Sequence, residues 1–240
     1  MPSDRVVYFP VPLPDRGQRV AAQKGGIVGK EVVEQVWGIS RPVMEQQIGR
    51  FQGFLADRGD LIRRCQALED LGTFRPRDQV EEDSSWKQVI PYMVLRHDQQ
   101  ILQLRRLSTQ GEARLHHRIS IGVGGHVNPE PGAHEPLLLR GMRRELAEEI
   151  CIDAQSVQFR LLGWINDDET EVGQVHLGLA VEAFLDHRPE IRETDRMEGT
   201  WQRLDRIDAT DPAWESWSAL LLSALESDPS VAERNISHLK

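Results

Sequence analysis

The chain has 240 residues, 39% of them apolar and 28% charged, with a formal net charge of -9. That length suits one catalytic-size core plus an added segment, and the composition suits a chain able to bury that core. The negative charge argues against nonspecific nucleic-acid binding, and no stretch approaches the ~18 apolar residues of a membrane-spanning helix. Residues 1–14 carry no apolar run followed by a small-residue cleavage site. Cys65 and Cys151 make neither a disulfide framework nor a zinc cluster. Both features predict a cytoplasmic protein.

Val6-Val7-Tyr8-Phe9, followed by prolines at 10, 12 and 14, reads as a short strand and an extended arm, and Gly25-Gly26 and Gly29 as a loop. From Pro42 to Leu71 the apolar positions Val43, Phe51, Phe54, Leu55, Leu61, Ile62, Cys65 and Leu68 recur at helical steps. Gly59 splits them, which predicts two helices. Glu81-Glu82-Asp83 reads as a solvated connector. Strands follow. Val89–Leu95 and Ile101–Leu107 flank the polar His97–Gln100 and predict a hairpin, with Pro91 at an edge, a strand start or a bulge. Ile119–Val123 is a third strand leading into Gly124-Gly125. A helix is predicted from Pro136 to Ile150, strands over 157–165 and 174–185, a short strand at Trp201–Leu204, and a closing helix from Pro212 to Leu225. Asp167-Asp168-Glu169 reads as a turn. This order predicts a mixed sheet covered by helices.

The segment Arg144-Glu145-Leu146-Ala147-Glu148-Glu149-Ile150-Cys151-Ile152 carries the chemistry. On a helix, Glu145, Glu148 and Glu149 stand at i, i+3 and i+4 and form one acidic stripe beside an apolar stripe of Leu139, Met142, Leu146 and Ile150. Like charges so spaced repel, and no lysine is interspersed to relieve them. A solvated acidic face is the bland reading, and taken alone the commoner one. The alternative is that a divalent cation converts the repulsion into ligation. Gly124-Gly125, between a strand and this helix, tips the balance, because backbone without a Cβ can approach a ligand closely.

These residues resemble the signature of the Nudix hydrolase superfamily: Gly, five residues, Glu, seven residues, then Arg-Glu-apolar-any-Glu-Glu-any-Gly-apolar. The second half matches from Arg144 to Ile152, with Cys151 in place of the last Gly. The first half departs from it. Nine residues, not five, separate Gly125 from Glu135, so the loop is enlarged. Glu135 is the first candidate to brace Arg144, and Glu130 the second. The resemblance covers roughly Trp86 to Leu225, and the stretches around Val89–Tyr92 and Ser120–His126 resemble a subgroup of predicted phosphoesterases.

The resemblance implies an α/β fold, a Nudix-like α/β/α sandwich with a mixed sheet at 81–240, preceded by a mainly helical N-terminal extension over 1–80. It implies Mg2+ or Mn2+ held by Glu145, Glu148 and Glu149 with a backbone carbonyl of Gly124 or Gly125. A distal acidic residue is also implied, with Glu193 the first choice and Asp195 and Glu198 behind it. Glu145 is a ligand or the base that orients water. Arg144 braces the loop. Gly124, Gly125, Arg118 and His126 are candidates to meet the substrate, which the resemblance implies is a small nucleoside diphosphate derivative. A homodimer is also expected. Trp86 and Tyr92 are candidates to stack on a base, although packing is the commoner fate of such aromatics. Two other readings stay open: a non-catalytic nucleotide-sensing module, and an isopentenyl diphosphate isomerase, which needs a cysteine near the Gly-Gly strand.

Overall fold

A computed structural model describes residues 33–57, 59–107, 118–130, 135–192, 194 and 197–227. Val6–Phe9, the prolines after it and the 25–29 glycines lie outside that set.

The centre of the sheet is β4 (Trp86–His97), whose residues 88–96 run parallel to the whole of β9 (His176–Phe184). Residues of β4 alternate between two apolar layers. Val89, Met93 and Leu95 face one, and Tyr92 and Val94 face the other. A strand apolar on both faces needs cover on both, and it has it. α4 (Leu137–Glu149) lies over the first layer with Leu138, Leu139, Met142 and Leu146 buried, and α6 (Ser216–Ser227) covers the second with Leu221, Leu222 and Leu225. This is the predicted α/β/α sandwich.

β8 (Gln158–Asn166) is antiparallel to β9. On the far side β4 turns through Asp98, at a φ of 52°, into β5 (Gln100–Arg106), and β10 (Met197–Arg203) pairs antiparallel with β5. The third predicted strand is two short pieces, β6 (Ile119–Ser120) on β5 and β7 (Gly122–Val123) on β4.

The N-terminal stretch supplies β1 (Gln35–Ser40), α1 (Arg41–Gln47), β2 (Gly53–Ala56), α2 (Leu61–Leu71), β3 (Thr73–Pro76) and the one-turn α3 (Arg77–Val80). β1 pairs with the start of β4 and with β3, and β2 pairs with β8 at the sheet edge. Phe54 and Leu55, predicted helical, are therefore in a strand. Gly49 and Gly53 adopt φ of 103° and 87°, which ends α1 and redirects the chain. Met44, Leu61, Cys65 and Leu68 sit in the same apolar layer as the buried face of α4. Among the described residues, no helix is long and apolar enough to cross a membrane.

Pro91 lies in the middle of β4, opposite Leu179, and not at an edge. The amide of Gln88 donates to Val175 on the β9 side, so by alternation the nitrogen of Pro91 faces the other way. There β1 pairs with residues 86–88 and β7 with 93–94, and Pro91 falls in the gap between them. A residue with no N–H to give is tolerated where no partner strand asks for one.

Candidate active site

The site forms where β7 runs into Gly124-Gly125 beneath α4. A Cβ built on Gly124 would collide with the carbonyl oxygen of Pro91, and one on Gly125 would lie 2.5 Å from the carboxylate of Glu145. Only glycines let the backbone pass this close to β4 on one side and to a helical carboxylate on the other. Glu145 is 7% exposed. Burial lifts its carboxyl above its ordinary value, Arg144 pulls it back, and the negative charges of Glu148 and Glu130 lift it further. Glu149, one turn on, borders a narrow cleft with Gly124, Gly122, Ser120, Leu104 and Met197.

Arg144 is the hub of the loop–helix junction. Its guanidinium donates to Glu130 Oε1 at 2.8 Å, Glu148 Oε2 at 2.8 Å, Asn128 Oδ1 at 2.8 Å, the His126 carbonyl at 2.6 Å and Glu145 Oε1 at 2.5 Å. The planar fork with five donors explains why arginine stands here and not lysine. Glu130, the second choice from the sequence, is thus the brace of the enlarged loop. Glu135 pairs with Arg143 instead. Counting along the chain favoured Glu135, but Arg143 and Arg144 point to different flanks of the helix, about 100° apart.

α4 ends without a left-handed residue. Ile150 is extended at φ -124°, ψ 139°, the Cys151 amide donates to the Glu190 carbonyl, and the Arg192 amide donates to the carbonyl of Glu149. Replacing the signature Gly with Cys151 is harmless for that reason. The last of these bonds places Arg192 beside Glu149. Glu193 and Asp195 lie outside the described residues; Glu198 is exposed on β10 opposite Arg105.

His126 follows the glycines and meets His176 across the sheet end, with ring centroids 5.5 Å apart and Nε2 atoms 3.4 Å apart. His176 Nδ1 lies 2.7 Å from the Val172 carbonyl, so it carries the proton and leaves Nε2 as an acceptor. His126 then donates from its own Nε2, and its Nδ1 is left as a lone pair. Burial, with Arg77 and His176 nearby, pushes the His126 imidazole down to about 4, and burial lowers His176 as well. Both rings are neutral at neutral pH.

No family model matches the sequence. Protein YmaB of Bacillus subtilis (strain 168) is 32% identical over 191 residues, which span 77% of this chain and 93% of that protein. Among solved structures, Tm1382, provisionally assigned as a Nudix hydrolase, superposes with a TM-score of 0.67 at 29% identity, over 81% of this chain and 99% of its own. The chain has the fold of the Nudix hydrolase superfamily.

The Nudix helix is therefore α4, and its surroundings sort the residues singled out from sequence. Glu145 and Glu149 lie against the Gly-Gly turn. Glu148 is turned outward, its side chain 57% exposed and paired with Arg144. Among the described residues no three His, Cys, Asp or Glu side chains already converge as a metal cluster. Arg118 gives its guanidinium to the carbonyls of Pro212 and Trp214, where it ties the β6 strand to the approach to α6. Trp86 and Tyr92 are buried, the first under Arg75 and the second bonded to Ser120 and Ser218. Cys65 is buried in the core with its thiol pushed up by burial, and Cys151 is exposed beyond the helix end; neither stands with the glycines as the isomerase reading needs.

Sequence reasoning missed Asp168. Its carboxylate receives Arg41 at 2.8 and 3.0 Å, the fully buried Lys87 at 2.7 Å and Asn166 at 3.0 Å. Burial alone would raise this carboxyl, but the hydrogen bonds from Arg41, Lys87 and Asn166 hold it well below the usual range. It staples α1 to β4 and β8. The partners lie 127 and 81 residues away, and no local spacing signals them.

Proposed function

We propose that the chain is a metal-dependent hydrolase that opens a diphosphate linkage in a nucleoside diphosphate derivative, by attack of water on phosphorus. The single observation that carries this reading is the carboxylate of Glu145, buried against Gly125 with Glu149 bordering the same turn. A fold keeps a carboxylate in such a place only if a positive partner compensates it. Arg144 does so in part, and the remaining donors are all oxygens, the set that hard divalent cations take. Glu145 and Glu149 would hold Mg2+ or Mn2+ with a Gly124 or Gly125 carbonyl, and Glu148 and Glu193 would add to the set. When bound, the ion neutralises diphosphate charge and activates water.

The chain's own residues do the positioning. Arg144 fixes Glu145 and the His126–Asn128 backbone in one geometry, so the anionic face does not have to reorganise as charge moves. Glu145 serves as a ligand or orients the attacking water. In-line displacement needs little beyond correct placement. The likeness to Tm1382 supports hydrolysis over binding alone. A nucleotide-sensing module is the second reading, favoured by the engagement of Glu148 with Arg144.

Anion-exchange chromatography of the cleavage products distinguishes them. Nucleoside triphosphates, dinucleoside polyphosphates, nucleotide sugars and dinucleotide cofactors are screened with and without Mg2+. The wild type turns over at least one class only with the ion, and Glu149→Gln, which conserves shape and removes charge, loses that turnover while keeping its melting temperature. A variant as fast as the wild type sinks the assignment. Tight nucleotide binding with no turnover in the wild type favours sensing.

A further inference from the structure

α4 lacks a cap of its own. Its N-cap is Pro136, which offers no side-chain acceptor and no N–H, and no acidic residue stands in the first turn. The first amides of a helix lack intrahelical partners and carry the positive end of its dipole. Here they are met from outside. The amides of Leu137 and Leu138 donate to the two oxygens of Glu69, at 3.1 and 3.0 Å. Glu69 is on α2, 68 residues upstream, and α2 is held in the common core through Leu61, Cys65 and Leu68. The carboxylate is therefore presented from a packed helix and not from a mobile chain.

Two more ties run the same way. The Trp37 amide of β1 donates to the Val127 carbonyl, and Asn128 bonds Glu34 Oε1 and the Gln35 carbonyl while its own oxygen receives Arg144. Residues 34–69 thus grip both limbs of the junction: the loop after Gly124-Gly125 and the start of the helix that carries Glu145 and Glu149.

We propose that Glu69 is a positioning residue: its carboxylate pins the first turn of α4 and so sets the axial place of Glu145 and Glu149 over the paired glycines. This rests on the reading that those carboxylates hold a divalent ion. Helix capping from the N-terminal stretch gives that stretch a part in the site without any contact with substrate.

The test compares the full-length wild type with Glu69→Ala, Glu69→Asp and Glu69→Gln. Amide hydrogen exchange is followed along α4 and at Gly125, Mn2+ affinity is measured by electron paramagnetic resonance, and melting temperature is recorded for each protein. Glu69→Ala speeds exchange at Leu137 and Leu138 and weakens Mn2+ binding about tenfold, the lower end of what outer-shell partners do. Glu69→Gln, which keeps one acceptor but no charge, falls between. A core variant in the opposite apolar layer, Leu222→Ala on α6, loses at least as much melting temperature but leaves Mn2+ affinity within about twofold, which separates positioning from general destabilisation. If Glu69→Ala does not fold, Glu69→Gln against Glu69→Asp carries the comparison. Unchanged Mn2+ affinity in the folded variants overturns the proposal. A wild type that binds no Mn2+ overturns the metal reading instead. The exchange pattern then decides, and slow exchange of Leu137, Leu138 and the rest of α4 in Glu69→Ala refutes the proposal.

Discussion

Removal of the Arg144 side chain tests the junction in quantity. Arg144→Ala strips one partner from Glu145, whose side chain is 9% exposed, and one from Glu130, 23% exposed. Breaking a buried pair costs about 3–5 kcal/mol, and since Arg144 itself keeps 24% exposure the lower value applies, about 3 kcal/mol. The exposed Glu148 pair adds only about 0.4 kcal/mol. At roughly 2–4 °C per kcal/mol for a chain of this size, the melting temperature falls by about 6–14 °C. Arg144→Lys restores the charge but not the fork, and recovers about half. Without Arg144 the buried Glu145 takes up a proton more readily, so the deficit is larger at pH 8 than at pH 5. Thermal unfolding by circular dichroism, with urea titration to confirm an unchanged slope, reads all three effects. A drop under about 3 °C for Arg144→Ala, or full recovery by lysine, refutes the reasoning.

Glu145→Gln is expected to hold or raise the melting temperature in chelator at pH 7. An acid whose folded value is raised contributes stability below its unfolded value, and loses it as pH rises through the folded one. The neutral amide escapes that loss, and the gap to wild type closes as pH falls below about 4. In Mg2+ the order reverses, because only the wild type gains from binding; calorimetric scans with and without the ion check both signs. Gly125→Ala places a methyl 2.5 Å from the Glu145 carboxylate and pushes it aside, so Mn2+ affinity by calorimetric titration drops at least about tenfold. Asp168→Ala leaves the buried Lys87 without its counter-ion and costs about 3 kcal/mol, read by urea unfolding. Because Asp168 is held below the usual carboxylate range, that difference is full above pH 4 and fades only as pH drops further, through the folded value.

The parts of the fold that were legible in sequence are those set by periodicity. The apolar run of β4, the polar turn to β5 and the two-faced α4 all declare themselves in neighbouring residues. β2 did not. Phe51, Phe54 and Leu55 happen to fall at helical spacing, and a four-residue edge strand is too short to show alternation; Gly49 and Gly53 were the available warning. Pro91 misled because the gap in the ladder around it is a property of where β1 and β7 end.

At the candidate site the split is similar. Glu145 and Glu149 facing the glycines follows from helix geometry. The turning of Glu148 towards Arg144, the choice of Glu130 over Glu135, the clamp of Arg118 on the α6 approach and the cap from Glu69 are all contacts between distant segments. Only the folded chain decides them.

The central claim is that Glu145, Glu149 and the Gly124-Gly125 backbone together hold a divalent ion for diphosphate chemistry. A crystal soaked in Mn2+ and measured at the manganese edge tests it most directly. The account predicts an anomalous peak between the two carboxylates and the glycine carbonyls, at oxygen distances of about 2.1–2.3 Å, which disappears in Glu149→Gln. A peak held elsewhere by other side chains, or none at saturating Mn2+, contradicts it.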